Sequence, residues 1–210
     1  MIELRGVWFR YPGGGWVLRG VDASFRRAEV TALVGPNGSG KTTLMKVASL
    51  IYRPAMGRVE VDGVDAWTSS DDVRLRLRRM IIYVHETPVM LRGTVRENIA
   101  YGLRLRGLGE ADIEKRIEEV ASALGLERIL DKRASKLSAG QAQLVAIARA
   151  LAVKPQMLLL DEPFAHLDQA KRRLLTELIE RLPSSGTGVV IASHDVYLAS
   201  RLATRTINLE

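Results

Sequence analysis

Residues 35–42 read Gly35-Pro36-Asn37-Gly38-Ser39-Gly40-Lys41-Thr42, which fits G-x-x-x-x-G-K-[ST]. The run before it, EVTALV (29–34), has the apolar character of a buried strand. Downstream, Leu44, Val47, Ala48 and Ile51 fall on one face of a helix predicted over 41–52. Strand, glycine-rich loop and helix in that order leave few folds open. The glycines let backbone N–H groups turn inward around an anion, and the helix N-terminus adds partial positive charge. Lys41 is then placed to reach β- and γ-phosphates, and the hydroxyl of Thr42 to bind Mg²⁺. A chance glycine turn ahead of a lysine would not bring the strand and the helix with it.

A second constraint is Met157-Leu-Leu-Leu-Asp161-Glu162-Pro163. Here an apolar strand delivers two adjacent carboxylates at its C-terminal end, where open parallel sheets bind ligands. Asp161 is suited to hold Mg²⁺, directly or through water, and Glu162 to orient or deprotonate an attacking water. Alone, this segment reads equally well as a strand ending in a solvated acidic turn. The loop at 35–42 tips the balance toward chemistry.

The remaining pattern predicts strands at 2–10, 21–27, 58–65, 80–84, 188–193 and 205–209, with PGGG (12–15) a tight turn. Helices are predicted at 140–153, 168–182 and 195–202. The stretch from about 87 to 135 is helical and amphipathic. Its clearest helix is ADIEKRIEEVASALGL, with Ile113, Ile117 and Val120 on the apolar side. Strands alternating with helices imply an α/β fold with a mainly parallel sheet. The expected organisation is one domain over 1–210: a P-loop core, an antiparallel N-terminal β subdomain, and a helical subdomain inserted at about 87–152.

With 47% hydrophobic and 26% charged residues, the chain is neither disordered, collagen-like nor a coiled coil. It lacks an apolar run of the ~20 residues a spanning helix needs. Its start, MIELRGVWFR, lacks the apolar centre of a signal peptide. Without Cys, a disulfide framework is excluded and a cytosolic address is the default. The net charge of 31 − 24 = +7, with 24 arginines among the basic residues, could suit nucleic acid or an anionic surface. But the basic residues are spread out. The one cluster, Arg74, Arg76, Arg78 and Arg79, has no interleaved aromatics for base stacking and reads as a solvated helix face. No nucleic-acid partner is expected.

One further motif separates families that share the glycine-rich loop. Residues 137–151 read LSAGQAQLVAIARAL, a loop with Ser138, Gly140 and Gln141 opening an amphipathic helix. Here the chain resembles the ATP-binding-cassette ATPases, whose signature LSGGQ sits at this place. The resemblance runs the full 210 residues. Tyr11 matches the aromatic that stacks on adenine in the family. Thr43 extends the nucleotide loop, and GTVRENIAYGL (93–103) with Pro88 resembles the glutamine-loop region and helical subdomain. Ala165-His-Leu-Asp168 resembles the D-loop, and Ser193-His194-Asp195 the switch-histidine loop. His85 and His166 are read as non-catalytic. The resemblance therefore implies ATP and Mg²⁺ as cofactors. It assigns Lys41, Glu162 and His194 to catalysis, Tyr11, residues 35–43, Ser138, Gly140 and Gln141 to the nucleotide, and Thr42, Asp161 and Glu86 to the metal.

Three positions depart from the family pattern. Glu86 stands where the family carries Gln, which adds negative charge near the γ-phosphate. Ala139 replaces the first signature glycine, where a methyl could restrict φ or crowd a partner's nucleotide. Ala28 stands where glycine is usual, a structural change. The resemblance further implies a head-to-tail dimer with each ATP held between two copies, working on separate permease subunits at the cytoplasmic membrane face, with a solute-binding protein where the transporter imports. The chain's end at Glu210 implies no C-terminal regulatory domain. The segment TPVMLRGTVRENIAYGLRLRG is most similar to cassettes of small-anion importers, such as those for tungstate or molybdate. Two alternatives stay open: a soluble cassette of an assembly system, and a weakly active regulatory subunit favoured by Glu86 and Ala139. A soluble copurifying partner would favour the first, and absent phosphate release the second.

Overall fold

The computed structural model describes residues 1–193 and 196–209. Strands β1 (Ile2–Arg10) and β2 (Trp16–Phe25) pair antiparallel across the turn that Gly14 closes by donating its N–H to the Tyr11 carbonyl. β2 starts five residues earlier than the hydrophobic alternation suggests, because strand pairing resumes directly after that turn. Strand β3 (Val30–Val34) leads into helix α1 (Lys41–Ala48), followed by β4 (Met56–Val61), β5 (Val64–Asp65), α2 (Asp71–Met80) and β6 (Ile81–Val84). Helices α3 (Val95–Arg104), α4 (Glu110–Leu124) and α5 (Ala139–Ala152) come next. The chain then runs through β7 (Met157–Asp161), α6 (Gln169–Arg181), β8 (Gly188–Ala192), α7 (Val196–Leu202) and β9 (Arg205–Asn208).

Two sheets result. The first is antiparallel, in the order β2-β1-β4-β5; the second is parallel, in the order β6-β7-β8-β3-β9. The three inner strands β7, β8 and β3 are buried on both faces, as crossover helices require, while the edge strands β6 and β9 are partly exposed. Val30, Ala32, Leu158, Leu160, Val189 and Ile191 join a core with the helices α3, α4 and α5. Their alternate neighbours Leu33, Met157, Leu159 and Val190 join a second core with α1 and the antiparallel sheet. The period-2 alternation of side chains thus divides one sheet between two hydrophobic cores.

α1 is shorter than the predicted 41–52. Its end is a Schellman closure: Leu50 N–H bonds the Val47 carbonyl at 3.0 Å and Ile51 N–H the Lys46 carbonyl at 2.9 Å. Leu50 takes the left-handed place usually held by glycine, φ 59°, and is buried, while Ile51 is 44% exposed and leaves the apolar face. Ala28 is also left-handed, φ 56°, in the β2–β3 turn where glycine would be relaxed. The arginine-rich face of α2 is solvent-facing around Arg76, while Arg78 and Arg79 rim a wide cleft described below.

Between β6 and α3 the chain is held by one buried amide. Asn98 accepts from Leu91 N–H at 2.9 Å and donates to the Leu91 and Thr94 carbonyls. Arg149 of α5 completes the bracket, donating to Asn98 Oδ1 and to the Val89 carbonyl. The segment carrying Glu86 is thereby tied to both α3 and α5.

Candidate nucleotide-binding site

The loop 35–40 leaves β3, an interior strand between β8 and β9, and enters α1 through Gly40, whose φ is 93°. No side chain caps α1 and its first turn has no acidic residue, so the N-terminal N–H groups of the helix face an uncancelled positive end. A Cβ at Gly35 would collide with the carbonyl oxygen of Leu209 and lie 2.8 Å from Ser39 Oγ, so only glycine fits where the chain passes β9. The Ser39 hydroxyl is buried without a hydrogen-bond partner. Lys41 is buried in the first turn and folds its ammonium back on the loop, donating to the carbonyls of Gly35 (2.7 Å) and Pro36 (2.9 Å). An orphaned hydroxyl and a lysine parked on carbonyls both suit a loop built for an anion.

Asp161 ends β7, and β8 separates it from the loop in the sheet order. Thr42 nevertheless spans the gap, its hydroxyl donating to Asp161 Oδ2 at 2.8 Å. A cleft of about 330 Å³ is lined by Val17, Asn37, Gly38, Lys41, Thr42, Glu86, Asp161 and Glu162, together with Gly40 and Thr43. Three of the expected metal and catalytic carboxylates, Glu86, Asp161 and Glu162, thus converge with the loop. Glu86 is exposed at the rim, while Asp161 and Glu162 are buried. Glu162 has a left-handed φ of 46°, a conformation that costs an L residue about 1–2 kcal/mol. It is held there by its N–H donating to the Ala192 carbonyl at 2.8 Å and by Ser193 Oγ donating to its Oε2 at 3.3 Å. Such strain clusters at functional positions.

Tyr11 lies beside the first turn of α1, its hydroxyl 3.1 Å from Thr43 Oγ1 and its ring packed edge-on against Phe9 and Tyr52. The residue stays 38% exposed. Ser138, Gly140 and Gln141 do not line the P-loop cleft. Ser138 caps α5 by accepting from Gln141 N–H, and Gln141 Oε1 accepts from Ser138 N–H and Lys132 Nζ. Gly140 is required by packing: a Cβ there would lie 2.5 Å from the His166 carbonyl oxygen. Ala139 opens α5 and is exposed, and it is absent from the left-handed residues, so its methyl imposes no backbone strain. His194 lies outside the described residues. His85 accepts from the Thr87 N–H through Nδ1, and His166 takes a left-handed φ of 61° in the turn before α6.

One residue escaped the sequence reading. Tyr83 of β6 donates its hydroxyl to Asp161 Oδ2 at 2.7 Å, the same oxygen that Thr42 reaches. Burial, and secondarily the Asp161 carboxylate, push the Tyr83 hydroxyl well above its ordinary range, so it remains a donor at neutral pH. A tyrosine inside an apolar strand run carries no local signal of this role.

Among the described residues no three His, Cys, Asp or Glu side chains form a metal cage. Mg²⁺ is commonly held by one or two protein oxygens, with phosphates and waters completing its shell, and Thr42 with Asp161 supply that donor set.

A glycine-rich loop between an interior parallel strand and a helix, facing paired carboxylates from another strand, defines a P-loop nucleotide-hydrolysing fold. The family model for the ABC transporter matches residues 18–165. The chain is 39% identical over 211 residues to an ABC transporter ATP-binding protein of Pyrococcus furiosus, spanning 100% of this chain and 80% of that one. It is 39% identical over 217 residues to a phosphate import ATP-binding protein of Natronomonas pharaonis, spanning 99% and 76%. In structure it matches the dimeric post-hydrolysis state of an ATP-binding cassette bound to ADP and Pi, with a TM-score of 0.92 and 30% identity, covering 100% and 94%. The chain belongs to the ABC transporter family and is an ATP-binding subunit that hydrolyses ATP.

Proposed function

We propose that this ATPase works as a head-to-tail homodimer that drives import of a small inorganic anion through separate permease subunits at the cytoplasmic membrane face. The observation that carries the reading is the separation of the two ligand loops. The P-loop cleft holds Lys41, Thr42, Asp161, Glu162 and Glu86, while the loop with Ser138, Gly140 and Gln141 lies outside it, so a second copy is needed to complete the site. Ser138, Gly140 and Gln141 then close over the partner's nucleotide. Residues 1–210 act as one cassette, with 87–152 its helical subdomain. No helix among the described residues is long and apolar enough to cross a membrane.

In this reading residues 35–43 cradle the phosphates and Tyr11 offers a ring face to the base. Lys41 exchanges its bonds to the Gly35 and Pro36 carbonyls for phosphate oxygens. Thr42, Asp161 and Glu86 are the residues that would hold Mg²⁺, which supplies charge neutralisation at the phosphates. Glu162, held by Ser193, orients and deprotonates the attacking water, and His194 keeps the catalytic role that the family resemblance assigns it. Phosphoryl transfer asks little more of a protein than this positioning and charge.

In this reading the permease docks at a cleft on the far side of β6. A cleft of about 670 Å³ between α2, β6, α3 and α5 is lined by Leu75, Tyr101 and Leu105, with arginines 78, 79, 106 and 149 around it. Val89 beside it is 75% exposed and Leu105 63%, large apolar side chains unusual on a free surface. The small-anion assignment is supported by the segment 87–107 and by the relative that imports phosphate. Proteoliposomes holding the chain with its membrane subunits should accumulate labelled tungstate, molybdate or phosphate only with ATP, and lose that uptake with Lys41→Ala. Capture of a soluble partner, with turnover indifferent to any membrane subunit, would contradict the reading.

Glu86 gives a sharper expectation. Its carboxylate joins Asp161 and Glu162 around the phosphate cleft. Like charges about 4 Å apart in an effective dielectric of ~20 repel by about 4 kcal/mol before screening, and an exposed group retains a fraction of that. Glu86→Gln should therefore raise turnover at saturating Mg²⁺, on the order of threefold or more, as roughly 1 kcal/mol implies. Superimposable Mg²⁺ titrations of the two proteins would reject an inhibitory carboxylate and leave Glu86 a coupling role visible only with the permease.

A further inference from the structure

We infer that Tyr83 is a positioning residue for the metal site: its hydroxyl, bonded to Asp161 Oδ2, holds that carboxylate in the orientation that takes up the divalent ion. The inference rests on the Mg²⁺ site proposed above. Thr42 and Tyr83 are the two side chains that hydrogen-bond Asp161 among the described residues, at 2.8 and 2.7 Å, both through Oδ2. Both distances are those of a well-formed hydroxyl-to-carboxylate hydrogen bond.

The two donors have different freedom. Thr42 is itself a candidate metal donor, so its bond to Asp161 competes with that task. Tyr83 has no such second duty. β6 pairs in register with β7, Tyr83 opposite Leu159 and Val84 opposite Leu160, so the strand that carries the tyrosine is fixed to the strand that carries the aspartate. The ring is half-buried and packs edge-on against His85 at 6.0 Å between centroids. The hydroxyl is thus aimed from rigid backbone at a buried carboxylate, the arrangement by which groups behind a metal ligand tune affinity, typically by 10- to 100-fold.

Tyr83→Phe keeps the ring and removes only the donor. The test uses Mn²⁺ as the probe ion, titrated by the paramagnetic-resonance signal of free Mn²⁺ into the full-length protein loaded with a non-hydrolysable ATP analogue. Tyr83→Phe should weaken Mn²⁺ binding about tenfold, while analogue affinity measured in EDTA and the thermal midpoint stay at wild-type values. Mn²⁺ affinity within twofold of wild type would overturn the inference. Loss of metal-free nucleotide binding, or a large fall in the midpoint, would also overturn it by showing a structural role. Wild-type protein that binds no Mn²⁺ beyond what the free analogue binds would overturn the metal-site reading itself, an outcome distinct from the other two.

Discussion

Lys41→Ala is expected to cut ATP turnover by at least 10²- to 10³-fold, the loss typical of deleting one preorganised stabiliser of transition-state charge. The lysine is buried and its ammonium is already enclosed by the Gly35 and Pro36 carbonyls. Its charge is therefore placed in the loop before any phosphate arrives, and little reorganisation is needed to turn it toward one. Alanine leaves those carbonyls facing the site with no cation between them and the phosphates. Ground-state affinity should also fall, because the same contact serves substrate and transition state. Phosphate release at saturating Mg²⁺ and ATP measures the first effect and nucleotide titration the second. The fold should persist, since Lys41 contributes no apolar packing to either core. Unchanged turnover would remove the glycine-rich loop from the chemistry.

Glu162→Gln is expected to reduce turnover by about 10²- to 10⁴-fold, the range for losing a general base, with ATP affinity preserved. Glutamine keeps the length of the side chain and an oxygen that can accept from Ser193 Oγ, but it cannot take a proton. A residue that acts in the transition state alone lowers kcat without raising KM. The left-handed φ of 46° belongs to the backbone and passes unchanged to the variant. Single-turnover phosphate release beside equilibrium ATP binding separates the two quantities. A matched loss of affinity would make Glu162 a binding residue instead.

Most of this architecture was legible because three constraints agree locally. The loop 35–42 needed a strand before it and a helix after it, and both are present. The apolar runs 157–161 and 188–192 read as buried strands because parallel strands hide both faces, which removes the ambiguity of alternation. The start of α5 was legible in the amphipathic run that the loop with Ser138 opens, and the structure adds the capping box between Ser138 and Gln141, three residues apart. The end of α1 was not legible: a leucine occupies the left-handed position, and local preference gives no stop at Leu50. Tyr83 was missed for a different reason. Its partner Asp161 is 78 residues away, and a tyrosine in a strand reads as packing until the β6–β7 register brings the hydroxyl to the carboxylate. The bracket of Asn98 and Arg149 is likewise long-range, with 51 residues between its two side chains. Arg78 and Arg79 read as solvated because helical periodicity shows which way a face points but not what cleft it borders.

In the proposed dimer each active site is shared by two copies. Light scattering of the Glu162→Gln protein during gel filtration, with and without saturating Mg²⁺-ATP, tests it most directly. The expected mass is near the chain's own 23.2 kDa without nucleotide and twice that with ATP. Lys41→Ala added to the same protein should abolish the shift. A Glu162→Gln protein that carries bound ATP through the column yet stays at 23.2 kDa would contradict the shared site.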